Sequence, residues 1–143
     1  VMGCIAFRIG NCRLNNMAGI GRRMPITMAA FVIAGLSLIG VPGTVGFISK
    51  WYLALAAFEN GWWWLAFLIM GSSFLAVIYI GRVVEMAWFR EPTGAAAEAT
   101  EPPLSMLIPT WILAAACVVF GLDAEMTAGI ASQAADALFA GLR

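Results

Sequence analysis

The sequence has no histidine and little charge of either sign. Only 11% of its 143 residues are charged, against about 25% in typical soluble domains. Without histidine the chain lacks the commonest metal ligand and the side chain that most often carries protons near neutral pH. Eight basic and eight acidic residues cancel, which excludes the basic surface that nucleic acid binding needs. What remains is mostly hydrophobic, at 62% of the chain.

Cysteine is also scarce. Cys4, Cys12 and Cys117 form no C-x-x-C pair, and no metal site is predicted from them. Cys4 and Cys12 could form a disulfide, but nothing requires it, and three free thiols are the favoured interpretation. No nucleotide or iron–sulfur motif is present, so neither a cofactor nor a catalytic site is predicted.

Long apolar segments without strand-like alternation dominate the chain. They predict an all-α membrane protein with about three transmembrane helices. The predicted spans are about 26–58, 62–88 and 104–122. Tryptophans at both ends of the second span are typical of membrane interfaces. Gly71, Ser72 and Ser73 in its middle predict the close approach of a neighbouring helix.

The first apolar segment is too long for one straight span. As a single helix it would be about 50 Å long, whereas the hydrocarbon core is about 30 Å thick. Gly40, Pro42 and Gly43 predict a break, because proline removes a backbone donor and glycine adopts the dihedral angles that a break needs. We therefore predict a discontinuous helix with halves of about 26–39 and 44–58. The freed backbone groups must face protein or water.

The distribution of arginine predicts the orientation in the membrane. Arginines precede the first span and follow the second, at Arg8, Arg13, Arg22, Arg23, Arg82 and Arg90. Under the positive-inside rule, segments 8–25 and 89–103 lie in the cytoplasm, and the 59–61 turn and the C-terminal tail lie outside. The proline and glycine content of 89–103 predicts a flexible loop.

Three regions are expected along the chain. Residues 1–18 are interpreted as the end of a truncated helix followed by a cytoplasmic loop, since the apolar stretch at 1–7 is too short to cross a membrane. Residues 19–122 form the transmembrane region. Residues 123–143 are expected to be a surface tail, with a weakly amphipathic helix as one form it could take.

Lys50 is the only lysine of the chain and the only charged residue of the first segment. A lysine at that depth costs about 2.5–3.5 kcal/mol on insertion scales, so it needs a water cavity, an acidic partner or neutrality. An amine beside a helix break and water can take up and release protons, and we predict that Lys50 is a proton relay. The alternatives are snorkelling to the interface or a permanent pair with an acid.

Other polar residues are weaker candidates. Arg82 and Glu85 are spaced to form an ion pair on a helix, and the alternative is that protons enter through Glu85 from the cytoplasmic side. Thr44 and Ser49 are expected to hydrogen-bond freed backbone groups or cavity water. Glu59 is expected to mark a solvated helix end.

Two runs carry a family resemblance: GRRMP at 21–25 and LSLIGVPGTVGFISKWY at 36–52. They resemble the proton-translocating antiporter family, which includes the large subunits of Mrp-type sodium/proton antiporters and the antiporter-like subunits of NADH:quinone oxidoreductase. The form is most similar to the D subunit of the Mrp type. The resemblance implies that Lys50 lies on a discontinuous helix within a chain of buried charged residues. The family's other charged helices are absent here, so this chain alone cannot form a complete half-channel.

The resemblance implies a C-terminal fragment of a membrane subunit of a multisubunit Na+/H+ antiporter that relays protons through Lys50. Its expected location is the bacterial inner membrane, as a multi-pass protein. Its expected partners are lipid, other subunits of the complex, protons and sodium ions, without a cofactor. One alternative is a proton-pumping membrane subunit of NADH:quinone oxidoreductase, which would make it part of an enzyme. Another is a structural helical subunit with Lys50 as a fixed charge.

Overall fold

The computed structural model describes residues 1–10, 13–92 and 94–123, together with residues 129, 132–134, 137 and 138 of the tail. The helices are α1 (Met2–Ile9), α2 (Ile20–Arg23), α3 (Pro25–Ile39), α4 (Val45–Glu59), α5 (Trp63–Phe89) and α6 (Leu104–Leu122). Two short 3-10 turns cover Leu14–Met17 and Gly94–Ala96. The described ranges contain no β-strand, which confirms the predicted all-α class.

Two helices, α5 and α6, are long and apolar enough to cross a membrane. The 27 residues of α5 correspond to about 40 Å of helix, and its outer side exposes large apolar side chains. Trp63, Phe67, Met70 and Phe74 are each 63–68% exposed. Such a surface suits lipid or neighbouring protein rather than water. The chain is a membrane protein with several spans, as predicted.

The remaining span is discontinuous, as predicted, and is formed by α3 and α4. Each half has 15 residues, which is too short to cross the hydrocarbon core alone. The two halves follow each other along α5, since Gly35 of α3 packs against Ile80 and Lys50 of α4 reaches Ser73. Both halves therefore run antiparallel to α5, one after the other.

Glycine allows close backbone approach at two positions near the break. A Cβ atom at Gly46 would clash with the carbonyl oxygen of Ser37, and one at Gly121 would clash with the backbone of Thr44. The start of α4 and the end of α6 therefore both pack tightly around the break. The close approach predicted at Gly71, Ser72 and Ser73 is found at Ser73, which Lys50 of α4 reaches, but not at Gly71, where no described atom lies within 4 Å of an added Cβ.

A buried apolar cluster closes the end of the bundle where most arginines lie. It joins α1, the 14–17 turn, α2 and the start of α3 to the end of α5 and the 94–99 region. Its members are Ile5, Ile9, Met17, Ile20, Met24, Met28, Ala87, Ala96 and Ala99. Ala96 and Ala99 are therefore packed against the protein, whereas the flexibility expected of the segment 89–103 stays a prediction. The described parts of segments 8–25 and 89–103 meet at one end, where Arg8 donates to the Glu101 carbonyl and Gly19 lies against Pro92, as the predicted orientation requires.

Several predictions fall partly outside the described residues. Most of the tail at 123–143 is outside them, although its described positions 129, 132–134, 137 and 138 are helical. Cys12 also lies outside, whereas Cys4 and Cys117 are free thiols. The division of the chain into three regions, and the side of the membrane that each end faces, stay predictions.

Candidate functional site

The end of α3 is closed by Gly40, whose φ of 90° is readily adopted only by glycine. The Gly40 amide donates to the Ser37 carbonyl at 3.1 Å, and the Val41 amide donates to the Leu36 carbonyl at 3.0 Å. This pair of bonds is the Schellman arrangement, which satisfies two of the last four carbonyls of a helix. The carbonyls of the two final residues of α3 stay available.

The chain then makes a tight turn at Val41-Pro42-Gly43-Thr44. Proline at the second position and glycine at the third, with φ 90° at Gly43, match a type II turn. The Thr44 amide and hydroxyl both donate to the Val41 carbonyl, at 3.2 and 2.7 Å. Thr44 therefore bonds a freed backbone group, as the sequence predicts.

The first turn of α4 is bonded to α3 by Ser37. Its hydroxyl oxygen, which is buried, accepts a hydrogen bond from the Gly46 amide at 3.3 Å. Ser49 does not serve the break, because it is exposed and its hydroxyl donates to the Val45 carbonyl of its own helix at 3.2 Å. Ser37 is thus a break residue that sequence reasoning missed.

Lys50 hydrogen-bonds the carbonyls of Leu38 and Ile39, which the Schellman bonds leave unpaired. Its Nζ donates to the carbonyl oxygens of Leu38 at 2.7 Å and Ile39 at 3.0 Å. A third bond goes to the Ser73 hydroxyl oxygen at 2.7 Å. The three donors of an ammonium group therefore have three acceptors, and the cation lies at the negative end of the α3 dipole.

The charge of Lys50 is compensated by dipoles alone in the described part of the chain. No described carboxylate lies within ion-pair distance of it, so the alternative of a permanent acid partner has no support from these residues. Nor does the side chain extend along α4 towards the span end, since its amine turns back to the break. Sequence reasoning found Lys50 but missed Ser73 as its partner, because the contact spans two helices.

An open cavity of about 410 Å³ lies beside Lys50, between α4 and α5. Its lining residues are Ile39, Gly40, Phe47, Lys50, Trp51, Ala54, Phe58, Ile69, Met70 and Ser73. Phe47 and Trp51 stack on one wall, with ring centroids 5.9 Å apart. Lys50 and Ser73 supply polar groups to this largely apolar space, which is large enough to hold several water molecules.

Arg82 and Glu85 lie towards the far end of α5. Both are exposed, and the structure describes no ion pair between them, so the expected pair is wrong for this conformation. Glu85 is twelve positions from Ser73 along α5, or about 18 Å of helical rise. The structure therefore does not bring Glu85 to Lys50.

Comparison with known proteins places the chain in a family. Residues 2–76 match the family described as NADH:quinone oxidoreductase/Mrp antiporter, TM. This match covers just over half of the chain and includes the break and Lys50. The chain therefore belongs to this family of transmembrane proteins, which confirms the resemblance drawn from the two sequence runs.

Individual relatives carry names from both branches of the family. The NADH-quinone oxidoreductase N subunit of Desulforudis audaxviator is 39% identical, with 87% of this chain and 27% of the relative covered. The F(420)H(2) dehydrogenase N subunit of Methanosarcina mazei is 30% identical over 85% of this chain and 24% of the relative. The Na(+)/H(+) antiporter D subunit of Bacillus subtilis is 28% identical over 95% of this chain and 28% of the relative. The chain spans about a quarter of the length of these relatives.

Proposed function

We propose that this chain is the part of a proton-translocating membrane subunit in which Lys50 relays protons. The observation that carries the proposal is the placement of the Lys50 ammonium at the C-terminal end of half-helix α3, where it bonds two carbonyls and Ser73. Half-helix ends that coordinate cations are a recurring feature of transport sites. A cation held without a carboxylate is a functional candidate by default inside a membrane.

The proposed transfer changes the hydrogen bonds of the site. When Lys50 gives a proton to a water molecule in the cavity, its neutral amine keeps two N–H donors and gains a lone pair. It can then donate to only two of its three acceptors, and the Ser73 hydroxyl can turn to donate to the amine. Uptake of a proton from water on the return step restores all three original bonds. The cavity beside Lys50, which has room for several water molecules, supports this exchange.

The relatives favour a redox-driven complex over a sodium antiporter. Identity is 39% to an N subunit of NADH-quinone oxidoreductase and 28% to a D subunit of a sodium/proton antiporter. We therefore propose a membrane subunit of a dehydrogenase complex, with electron transfer in other subunits providing the energy. A sodium/proton antiporter is the second candidate, favoured by the Mrp-like form of the run around Lys50. In both, the partners would be other membrane subunits and lipid.

Substitution of Lys50 in the full-length protein tests the relay. Lys50→Met removes the charge at similar length, and Lys50→Arg keeps a cation that does not lose its proton. Both should lower proton translocation in membrane vesicles at least about a hundredfold, the lower end of what a positioned proton-transfer group contributes. Arg90→Gln, at an exposed cation outside the site, should have no effect. Wild-type transport in Lys50→Arg would mean that Lys50 is only a fixed charge.

The two candidate functions are distinguished by which driving force, an electron donor or a sodium gradient, supports transport in the same vesicles. A redox-driven subunit should move protons when an electron donor is supplied, without a requirement for sodium. An antiporter subunit should exchange protons when a sodium gradient is imposed and no donor is present. Sodium-driven exchange that is lost in Lys50→Met would select the second candidate.

A further inference from the structure

The N-terminus of α3 is capped by Glu101, which lies far along the chain, just before α6. Its Oε1 accepts a hydrogen bond from the Ile26 amide at 2.8 Å and a weaker one from the Thr27 amide at 3.5 Å. Its Oε2 accepts a bond from the Thr27 hydroxyl at 2.6 Å. Thr27 is fully buried. The carboxylate therefore accepts three hydrogen bonds from the first turn of α3.

The local sequence cannot supply this cap. Met24, in the N-cap position, has no side-chain oxygen, and no local side chain caps the helix. Pro25 has no amide hydrogen, and the Met28 amide already donates to the Met24 carbonyl at 3.0 Å. The Ile26 and Thr27 amides still need an acceptor, and both donate to Glu101. The remote carboxylate therefore completes the hydrogen bonding of this end of α3.

Two charged side chains of opposite sign thus hold the two ends of the same half-helix. Glu101 is at the amide end and Lys50 at the carbonyl end, the arrangement that the helix dipole favours. Each comes from a different segment of the chain, and each satisfies two backbone groups of α3. Between them lie 15 residues of unbroken helix, about 22 Å long.

We propose that Glu101 is a positioning residue for the relay, acting through Thr27 and α3 on Lys50. This inference rests on the proposed function of Lys50. Because the helix is broken after Ile39, α4 does not continue α3, and the two halves are joined only by the turn and by contacts at the break, where Ser37 bonds Gly46 and Lys50 bonds the last carbonyls of α3. A shift of about 1 Å would stretch the bonds from Lys50 to the α3 carbonyls beyond hydrogen-bonding distance. Glu101 prevents that shift from the opposite end.

The test compares matched variants of the full-length protein in its complex. Glu101→Gln removes the charge, and Thr27→Val removes the buried hydroxyl while keeping the shape of the side chain. Both should lower proton translocation per assembled molecule by about three- to thirtyfold, the range that loss of a helix cap gives in an equilibrium. The controls are Glu98→Gln, an exposed carboxylate in the same segment, and Thr27→Ser, which keeps the hydroxyl. Both controls should transport as the wild type does.

A second readout is local to Lys50. The rate at which a small acetylating reagent modifies Lys50, mapped by peptide mass spectrometry, should rise in Glu101→Gln and Thr27→Val because the amine loses its carbonyl partners. A purely structural role would lower the amount of assembled protein and leave both transport per molecule and Lys50 modification unchanged, which would overturn the proposal. Should Glu101→Gln fail to assemble, the isosteric Thr27→Val decides by the same two measurements.

Transport by Lys50→Met, measured in the same assay, distinguishes failure of the relay proposal from failure of the positioning proposal. If Lys50→Met transports normally, the relay itself is refuted. If Lys50→Met is inactive while Glu101→Gln and Thr27→Val match their controls in transport and modification, only the positioning role is refuted.

Discussion

The hydroxyl oxygen of Ser73 lies 2.7 Å from the Nζ of Lys50 and joins the middle of α5 to half-helix α4. It is the one side-chain acceptor that the described residues give to this lysine, since the other two acceptors are backbone carbonyls of α3. Ser73 is therefore the acceptor that mutation can remove without altering the helix itself.

Ser73→Ala is expected to slow proton translocation about ten- to hundredfold, because a hydrogen bond to a charged group is worth about 1.5–3 kcal/mol. Ser73→Thr keeps the hydroxyl and should retain most of the rate. Ser72→Ala is the matched control, since the Ser72 hydroxyl is exposed and donates to the Ile69 carbonyl of its own helix. The rates are measured as proton uptake by vesicles, and equal rates for Ser73→Ala and Ser72→Ala would contradict a role for Ser73.

Gly46→Ala is expected to destabilise the fold by about 1–3 kcal/mol or more, the usual effect of overpacking. Its new methyl group would clash with the Ser37 carbonyl, which is backbone and cannot rotate away. Gly71→Ala, on the open side of α5, should be neutral or slightly stabilising, since alanine favours helix. The midpoint of thermal unfolding in detergent distinguishes the two. A Gly46→Ala protein as stable as Gly71→Ala would mean that α3 and α4 are not packed this closely.

Gly40→Ala is expected to lower both stability and proton translocation. A side chain at φ 90° is strained, by about 1–2 kcal/mol in the left-handed region. Its Cβ would also lie 3.1 Å from the Cδ of Lys50 and press on the lysine stem. Gly81→Ala, where a Cβ meets nothing within 4 Å, is the control. A variant that loses stability but keeps the wild-type rate per folded molecule would mean that the conformation of Gly40 is not needed for proton transfer by Lys50.

Glu85→Gln tests whether protons enter at the arginine-rich end of α5. An exposed carboxylate near such a path raises the local proton supply, so its removal should slow translocation most when protons are scarce, and little when they are abundant. Glu59→Gln, at an exposed carboxylate at the end of α4, is the control. An unchanged rate at every proton concentration would remove Glu85 from the path.

The helices were predictable because membrane spans leave a strong signal. The apolar stretches at 104–122 and 62–88 agree with α6 and α5 to within one residue at each end. The break was predictable from Gly40 and Pro42, since their conformational limits act locally. Lys50 was predictable as a site because a single cation in an apolar segment needs compensation.

What the sequence did not predict are contacts between segments far apart in the chain. Glu101 lies in a stretch whose proline and glycine content indicated a loose loop, yet its carboxylate caps α3. Its signal was indirect: a helix that begins at Pro25 with Met24 before it has no local cap and needs an acceptor from elsewhere. Ser73 and Gly46 likewise depend on which helix lies opposite, and no local pattern in a single sequence fixes that.

Two of the oxygen atoms that hold Lys50 belong to the main chain, and every amino acid carries such an atom. Leu38 and Ile39 can therefore be exchanged for other apolar residues over evolutionary time without loss of the cation's ligands. Selection on this part of the protein should act instead on Gly40, Pro42 and Gly43, whose conformations form the helix break. Natural variants should accordingly differ at Leu38 and Ile39 while Lys50 keeps its two carbonyl ligands.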